Sequence, residues 1–130
     1  MIKVKAVAKK NPQTKEVKFY AQMGKIRAIN REEFIKRLEK STTVTSADVK
    51  AVLDQLEYEL FQALSDGYSV RLGNVGSFRA GLTSEASDTL EAVTAKNVKR
   101  VRVRFTPSSM LQREMQPAPK GRVSISLVKE

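Results

Sequence analysis

Five arginines stand where their side chains could act as one group. Arg100, Arg102 and Arg104 alternate with Val101, Val103 and Phe105, and Arg71 and Arg79 take alternate positions in the stretch Asp66–Leu82 (DGYSVRLGNVGSFRAGL). Alternation in twos is the period of a half-buried β-strand. With Tyr68, Val70, Leu72, Phe78, Ala80, Leu82, Val101, Val103 and Phe105 turned inward, all five guanidinium groups fall on the outward side, with Ser69 and Ser77 between them. Like charges gathered on one small sheet repel one another unless an anion lies across them. The guanidinium fork matches phosphate oxygens, so phosphate is the anion this chemistry selects. A solvated edge with scattered arginines is the plainer arrangement. The shared parity of three separate segments favours phosphate recognition.

Other chemistry finds little support. The chain has no histidine and no cysteine. That removes disulfides, thiolate catalysis, the usual zinc ligands and the commonest general base near neutral pH. No serine has a histidine to activate it, and no acidic cluster has metal-ligand spacing. Gly73-Asn-Val-Gly76 lacks the Gly-Lys-Ser/Thr of a P-loop. It spells the GxxG of a KH RNA-binding loop, but that loop joins two helices and here both flanks read as strands. The expectation is a non-enzyme with no cofactor, no metal and no small-molecule substrate.

The elements that must carry the arginines can be read in order. Ile2, Val4 and Ala6 alternate with Lys3 and Lys5, and Val17, Phe19 and Ala21 alternate with Lys18 and Tyr20. Between them Lys9-Lys-Asn-Pro-Gln-Thr-Lys15 is a polar Asn-Pro turn, so a β-hairpin with a basic tip is expected. Asn30 with Glu33 has the spacing of a capping box, and Phe34, Ile35 and Leu38 give a first helix ending near Lys40. Thr45 with Asp48 starts a second helix of about five turns, its stripe of Val49, Val52, Leu53, Leu56, Leu60 and Leu64 widened by Phe61. Asp66-Gly67 stops it. That apolar face is too wide for one short helix and calls for a sheet and a second subunit.

Strand, glycine-bracketed reversal and strand follow through Leu82, then the small, acidic stretch Thr83–Asn97, expected as an irregular loop with room for one helical turn. Val98–Phe105 is the clearest strand. Thr106-Pro107 is expected to open a short helix through Ser108–Met115, proline being tolerated at a first helical position. Pro117 and Pro119 break the chain, and Val123, Ile125 and Leu127 alternate with Ser124 and Ser126 in a last strand that could pair with the N-terminal hairpin.

At 130 residues the chain is read as one domain with its own modest core. The formal net charge is +10, from 24 basic and 14 acidic side chains. It is distributed in blocks: residues 1–40 hold 12 basic and 4 acidic groups, residues 41–97 hold 4 and 8, and residues 98–130 hold 8 and 2. Basic ends around an acidic middle point to a polyanionic partner rather than to a uniformly solvated surface. No segment has the apolar length of a signal peptide or a membrane span, so a cytoplasmic, soluble protein is expected.

Two helices, then Asp66-Gly67, then Arg71-Leu-Gly-Asn-Val-Gly-Ser-Phe78 together resemble the HU/IHF family of bacterial histone-like DNA-binding proteins. That family carries a strand into Gly-Phe-Gly-Thr/Ser-Phe here, with one residue fewer between the glycines. Val103–Leu111, with Phe105 leading into a short helix, is similar to the family's third strand and last helix. The resemblance covers roughly Asn30 to Met115. It implies an α+β fold of two N-terminal helices, a three-stranded antiparallel sheet and a short C-terminal helix, intertwined as a homodimer whose strands form a saddle over DNA. On that frame residues 1–29 are an added N-terminal hairpin, 30–115 the HU-like core and 116–130 a C-terminal strand extension, as in a divergent subgroup of the kind found in Bacteroides-like bacteria.

The chain departs from the family pattern at the arm. The family's long basic arm ends in a proline that wedges into the minor groove, whereas Thr83–Asn97 is acidic and has no proline. Lys10-Asn-Pro-Gln-Thr-Lys15 resembles the arm tip but sits in the added hairpin, where an Asn-Pro turn accounts for Pro12. The expected function is that of a largely sequence-nonspecific, nucleoid-associated protein gripping duplex DNA through Arg71, Arg79, Arg100, Arg102, Arg104, Lys9, Lys10 and Lys15. Two alternatives stand beside it: an assembly protein whose basic surface binds an acidic protein partner, and an RNA binder. The second is disfavoured by only three tyrosines for stacking, Tyr20, Tyr58 and Tyr68.

Overall fold

The computed structural model describes residues 1–128. They form two compact units, one of Met1–Asn30 with the chain from Gln112 onward, the other Arg31–Leu111.

The first unit is built on a three-stranded sheet. β1 (Ile2–Lys10) pairs antiparallel with β2 (Val17–Met23), closing the expected hairpin, and Lys15 takes a positive φ of 61° in its turn. On its other edge β1 pairs in parallel with β6 (Ile125–Leu127), placing Ile2 beside Ile125 and Val4 beside Leu127. The last strand thus joins the hairpin, shorter than its alternation suggests. Val123 makes only an isolated bridge to Pro117.

The second unit opens with α1 (Arg31–Ser41) packed on α2 (Ser46–Ser65). Ile35 and Val49, one from each helix, are the buried hydrophobic residues of the described chain. Arg31 clips the pair at its rim, donating to Asp54 at 2.6 Å and lying 3.4 Å from Glu57. The hydrogen bond to Asp54 holds the Arg31 guanidinium pKa above its ordinary value. Thr45 caps α2 as its spacing predicts, its hydroxyl accepting from the Asp48 N–H at 3.3 Å.

The helix stops in a Schellman motif. Gly67 at φ 88° donates to the Leu64 carbonyl and Tyr68 to the Ala63 carbonyl. This corrects the expected first strand: with its N–H spent on the helix end, Tyr68 lies outside the sheet and is exposed, and β3 is only Val70–Arg71.

The reversal is a tight turn over Leu72–Val75, with Val75 donating to the Leu72 carbonyl and Gly73 at φ 52° in the first central position. β4 (Gly76–Ser84) follows and pairs antiparallel with both β3 and β5 (Val98–Pro107). A second correction concerns Thr106 and Pro107. They finish β5 opposite Ser77 and Gly76 rather than opening a helix, since proline is tolerated at a strand end. Ser108 caps α3 (Ser109–Glu114) instead, its hydroxyl accepting from Leu111 at 3.0 Å. Its backbone N–H is tied to the Val75 carbonyl of the turn. α2 packs against β3 and β4.

Gly76 is the tightest point of this sheet. Its φ is 149°, and a Cβ there would collide with the Thr106 carbonyl and stand 2.9 Å from the Phe105 ring. Gly76→Ala is therefore expected to lower the unfolding free energy by about 2–3 kcal/mol, read from urea unfolding at fixed protein concentration. An unchanged midpoint would contradict this packing.

Candidate nucleic-acid interface

The faces of the second sheet are fixed by register. Val70 and Phe105 both lie opposite Phe78, Val103 opposite Ala80, and Val101 opposite Leu82, so these residues share one side. Phe78 and Phe105 meet with ring centroids 4.9 Å apart, tilted by 46°. On the other side Arg71 lies opposite Ser77, Arg104 opposite Arg79, Arg102 opposite Gly81 and Arg100 opposite Thr83. All five arginines read from the sequence therefore stand on one face of one sheet. Their neighbours there are serine, threonine and glycine, with no carboxylate.

The geometry concentrates the charge. Side chains two apart on a strand are about 7 Å apart, so Arg100, Arg102 and Arg104 form a row about 14 Å long. Arg79 directly faces Arg104, which costs stability in the absence of an anion. The fold gives Arg104 room to splay: its Nε lies 2.8 Å from where a Cβ on Gly81 would be. Among the described residues none of the five arginines makes an ion pair. The acidic groups of the middle of the chain are placed elsewhere, with Asp48, Asp54, Glu57 and Glu59 on α2, Asp66 at its C-terminal cap, and Glu85, Asp88 and Glu91 beyond the end of β4.

The segment after β4 is ordered by one side chain. The Asn97 amide donates to the Glu85 carbonyl at 3.1 Å and to the Ser87 hydroxyl at 2.7 Å, while its oxygen accepts from the Thr94 N–H at 2.8 Å. A register shift lies between Thr83 and Ser84, and Lys99 there reaches Glu85 at 3.7 Å. The one helical turn is the 3-10 stretch Ala95–Asn97, and Leu90 is 85% exposed. β4 and β5 end here, at Ser84 opposite Val98, without a basic extension.

The three lysines are placed differently. Lys9 and Lys10 end β1 and Lys15 lies in the following turn, all exposed and all in the first unit rather than on the arginine sheet. The Lys9 ammonium sits 5.7 Å from the Tyr20 ring centroid. Thr83 and Thr106, whose hydroxyls share the arginine face, were not singled out in the sequence, although their odd–even positions relative to Arg79 and Arg104 carry that information.

Two helices feeding a three-stranded antiparallel sheet, closed by a short helix, is an HU-like α+β architecture, and solved structures share it. An HU variant from Thermotoga maritima superposes with a TM-score of 0.52 at 24% identity, covering 68% of this chain and all of that one. HU from Anabaena, solved with DNA, gives 0.55 at 19% identity over 70% of this chain and 99% of that one. A candidate bacterial DNA-binding protein from Bacteroides vulgatus gives 0.68 at 18% identity, covering 98% of this chain and 49% of that one.

Sequence comparison names the family. A family model described as an HU domain fused to a wHTH, Ig or glycine-rich motif matches residues 1–120, and the chain belongs to this HU-HIG family. The DNA-binding protein HU of Ureaplasma parvum is 36% identical over 62 residues, 48% of each chain. The chain thus spans about half the length of that curated relative and of the Bacteroides structure.

With no anion bound, removing one of two facing charges is expected to help the fold. Arg79→Gln should raise the unfolding free energy by about 0.2–1 kcal/mol at low ionic strength. The gain should vanish near 1 M salt, where screening acts within about 3 Å. Loss of stability at low salt would show that Arg79 makes a structural contact instead.

Proposed function

We propose that the chain is a non-enzymatic, largely sequence-nonspecific DNA-binding protein of the bacterial nucleoid, held in the cytoplasm and acting as an intertwined homodimer. The observation that carries this reading is the arginine face: five guanidinium groups on one side of one sheet, none neutralised by a described carboxylate. Arg71, Arg79, Arg100, Arg102 and Arg104 supply phosphate contacts, and Lys9, Lys10 and Lys15 add to them. Such contacts position a protein on a duplex without reading bases. Membership of the HU-HIG family and the HU-like fold support the same assignment.

What one chain leaves uncovered supports the homodimer. Phe61 is 66% exposed on α2, and Val101 and Val103 are 63% and 62% exposed on the apolar face of the sheet. With Ile35 and Val49 the only buried hydrophobic side chains among the described residues, a single copy removes too little apolar surface from water to offset the ordering of its chain. A second copy laid over the helices and the sheet supplies the missing core. The melting temperature should then rise with protein concentration, as it does when association stabilises the folded state. A concentration-independent transition from a monomer of 14.5 kDa would contradict the dimer.

The binding mode makes a sharper prediction. If the five arginines and three lysines each neutralise about one phosphate, a plot of log affinity against log salt for duplex DNA should fall with a slope near −7, from ~0.9 per phosphate. Replacing Arg100, Arg102 and Arg104 together with Ala should flatten the slope by about 3 and weaken binding alike on unrelated sequences. A flat salt response in the unaltered protein would overturn the assignment.

A further inference from the structure

The N-terminal sheet has a cationic face of its own. Lys3, Lys5, Val7 and Lys9 share one side of β1, and register puts Ser126, Gln22, Tyr20 and Lys18 beside them in that order. No acidic residue is among these eight. Lys9 lies directly opposite Lys18, a pairing that destabilises a sheet unless an anion covers it. The Tyr20 ring lies beneath the Lys9 ammonium, which steadies that charge without cancelling it. At the hairpin end Lys9, Lys10, Lys18 and Tyr20 line an open hollow of about 380 Å³ in which Glu16 is the one carboxylate among the described residues.

The length of the row selects the partner. Lys3 to Lys9 spans six residues of strand, about 20 Å at ~3.4 Å per residue. That equals the rise of about six base pairs at ~3.4 Å each. A small anion would occupy the hollow and leave Lys3 unused, whereas an extended polyphosphate backbone engages the whole row. Single strands are held by several aromatic rings in succession, and this face has one.

We propose that the lysine face of the N-terminal sheet is a second duplex-DNA-binding surface, able to hold DNA when the arginine face is disabled. The proposal rests on the function argued above and enlarges it: Lys3 and Lys18 join Lys9, and the two faces belong to different units of the chain.

The test uses the full chain, with folding checked by circular dichroism, and a fluorescent 20-base-pair duplex titrated at several salt concentrations. Three variants are needed: Arg71, Arg79, Arg100, Arg102 and Arg104 all changed to Gln; Lys3, Lys9 and Lys18 all changed to Gln; and the two sets combined. Half-buried Lys5 is left in place. The arginine variant should keep salt-dependent binding with a slope near −3, from ~0.9 per lysine-bound phosphate, and the combined variant should lose it. The lysine variant alone should flatten the wild-type slope by about 3. Lys9→Arg with Lys18→Arg should preserve the wild-type slope, as a charge-based role requires.

If the arginine variant does not bind while the wild type does, the second surface is refuted and the main assignment stands. If the wild type itself shows no salt-dependent duplex binding, both fall. Residual binding by the arginine variant that is displaced by single-stranded RNA more readily than by unlabelled duplex would overturn the choice of partner.

Discussion

The pairing of Phe78 with Phe105 governs most of what this protein can do. Because side chains alternate strictly along a strand, one aromatic pair on one side fixes the side of every other residue in β4 and β5. A slip of β5 by one residue against β4 would turn Arg100, Arg102 and Arg104 into the apolar surface and bring Phe105 out of it. That cost in buried charge and lost burial makes the register self-enforcing. The arginine face is thus a consequence of where the aromatic rings must go. Gly76, which lets the backbone run close under Thr106 and Phe105, and the turn at Gly73 hold the strands in that alignment.

Much of this was legible in the sequence. The parity of Val101, Val103 and Phe105 against Arg100, Arg102 and Arg104 is a local property, and local alternation survives folding. Thr45 with Asp48 marked the start of α2, and Asp66-Gly67 its end, because caps answer to backbone groups a few residues away. The expectations that changed depended on competition for a group. Tyr68 has the alternation of a strand residue, but its N–H serves the α2 terminus. Pro107 suits a helix start, yet pairing with Gly76 carries β5 past it and Ser108 takes the capping role. Neither contest can be decided by counting in twos or fours.

The distribution of charge acquires a structural meaning. The acidic block in the middle of the sequence is divided between α2, its cap Asp66 and the loop beyond β4, and among the described strand residues of the arginine face there is no carboxylate. Each sheet is two-sided in the same sense, apolar on one side and cationic on the other. In the first sheet Val17, Phe19 and Met23 lie on the side away from Lys3, Lys5, Lys9 and Lys18, with Lys10 beside Val17 at the hairpin end, and Phe19 is 75% exposed. Both sheets therefore carry an apolar surface and a cationic one.

Arginine-selective modification by phenylglyoxal, mapped residue by residue with and without duplex DNA, tests the central claim most directly. Protection of Arg71, Arg79, Arg100, Arg102 and Arg104 as one group, lost together as salt is raised, is the predicted result. Equal modification of these five in both states, with protection confined to arginines elsewhere such as Arg113 and Arg122, would contradict it.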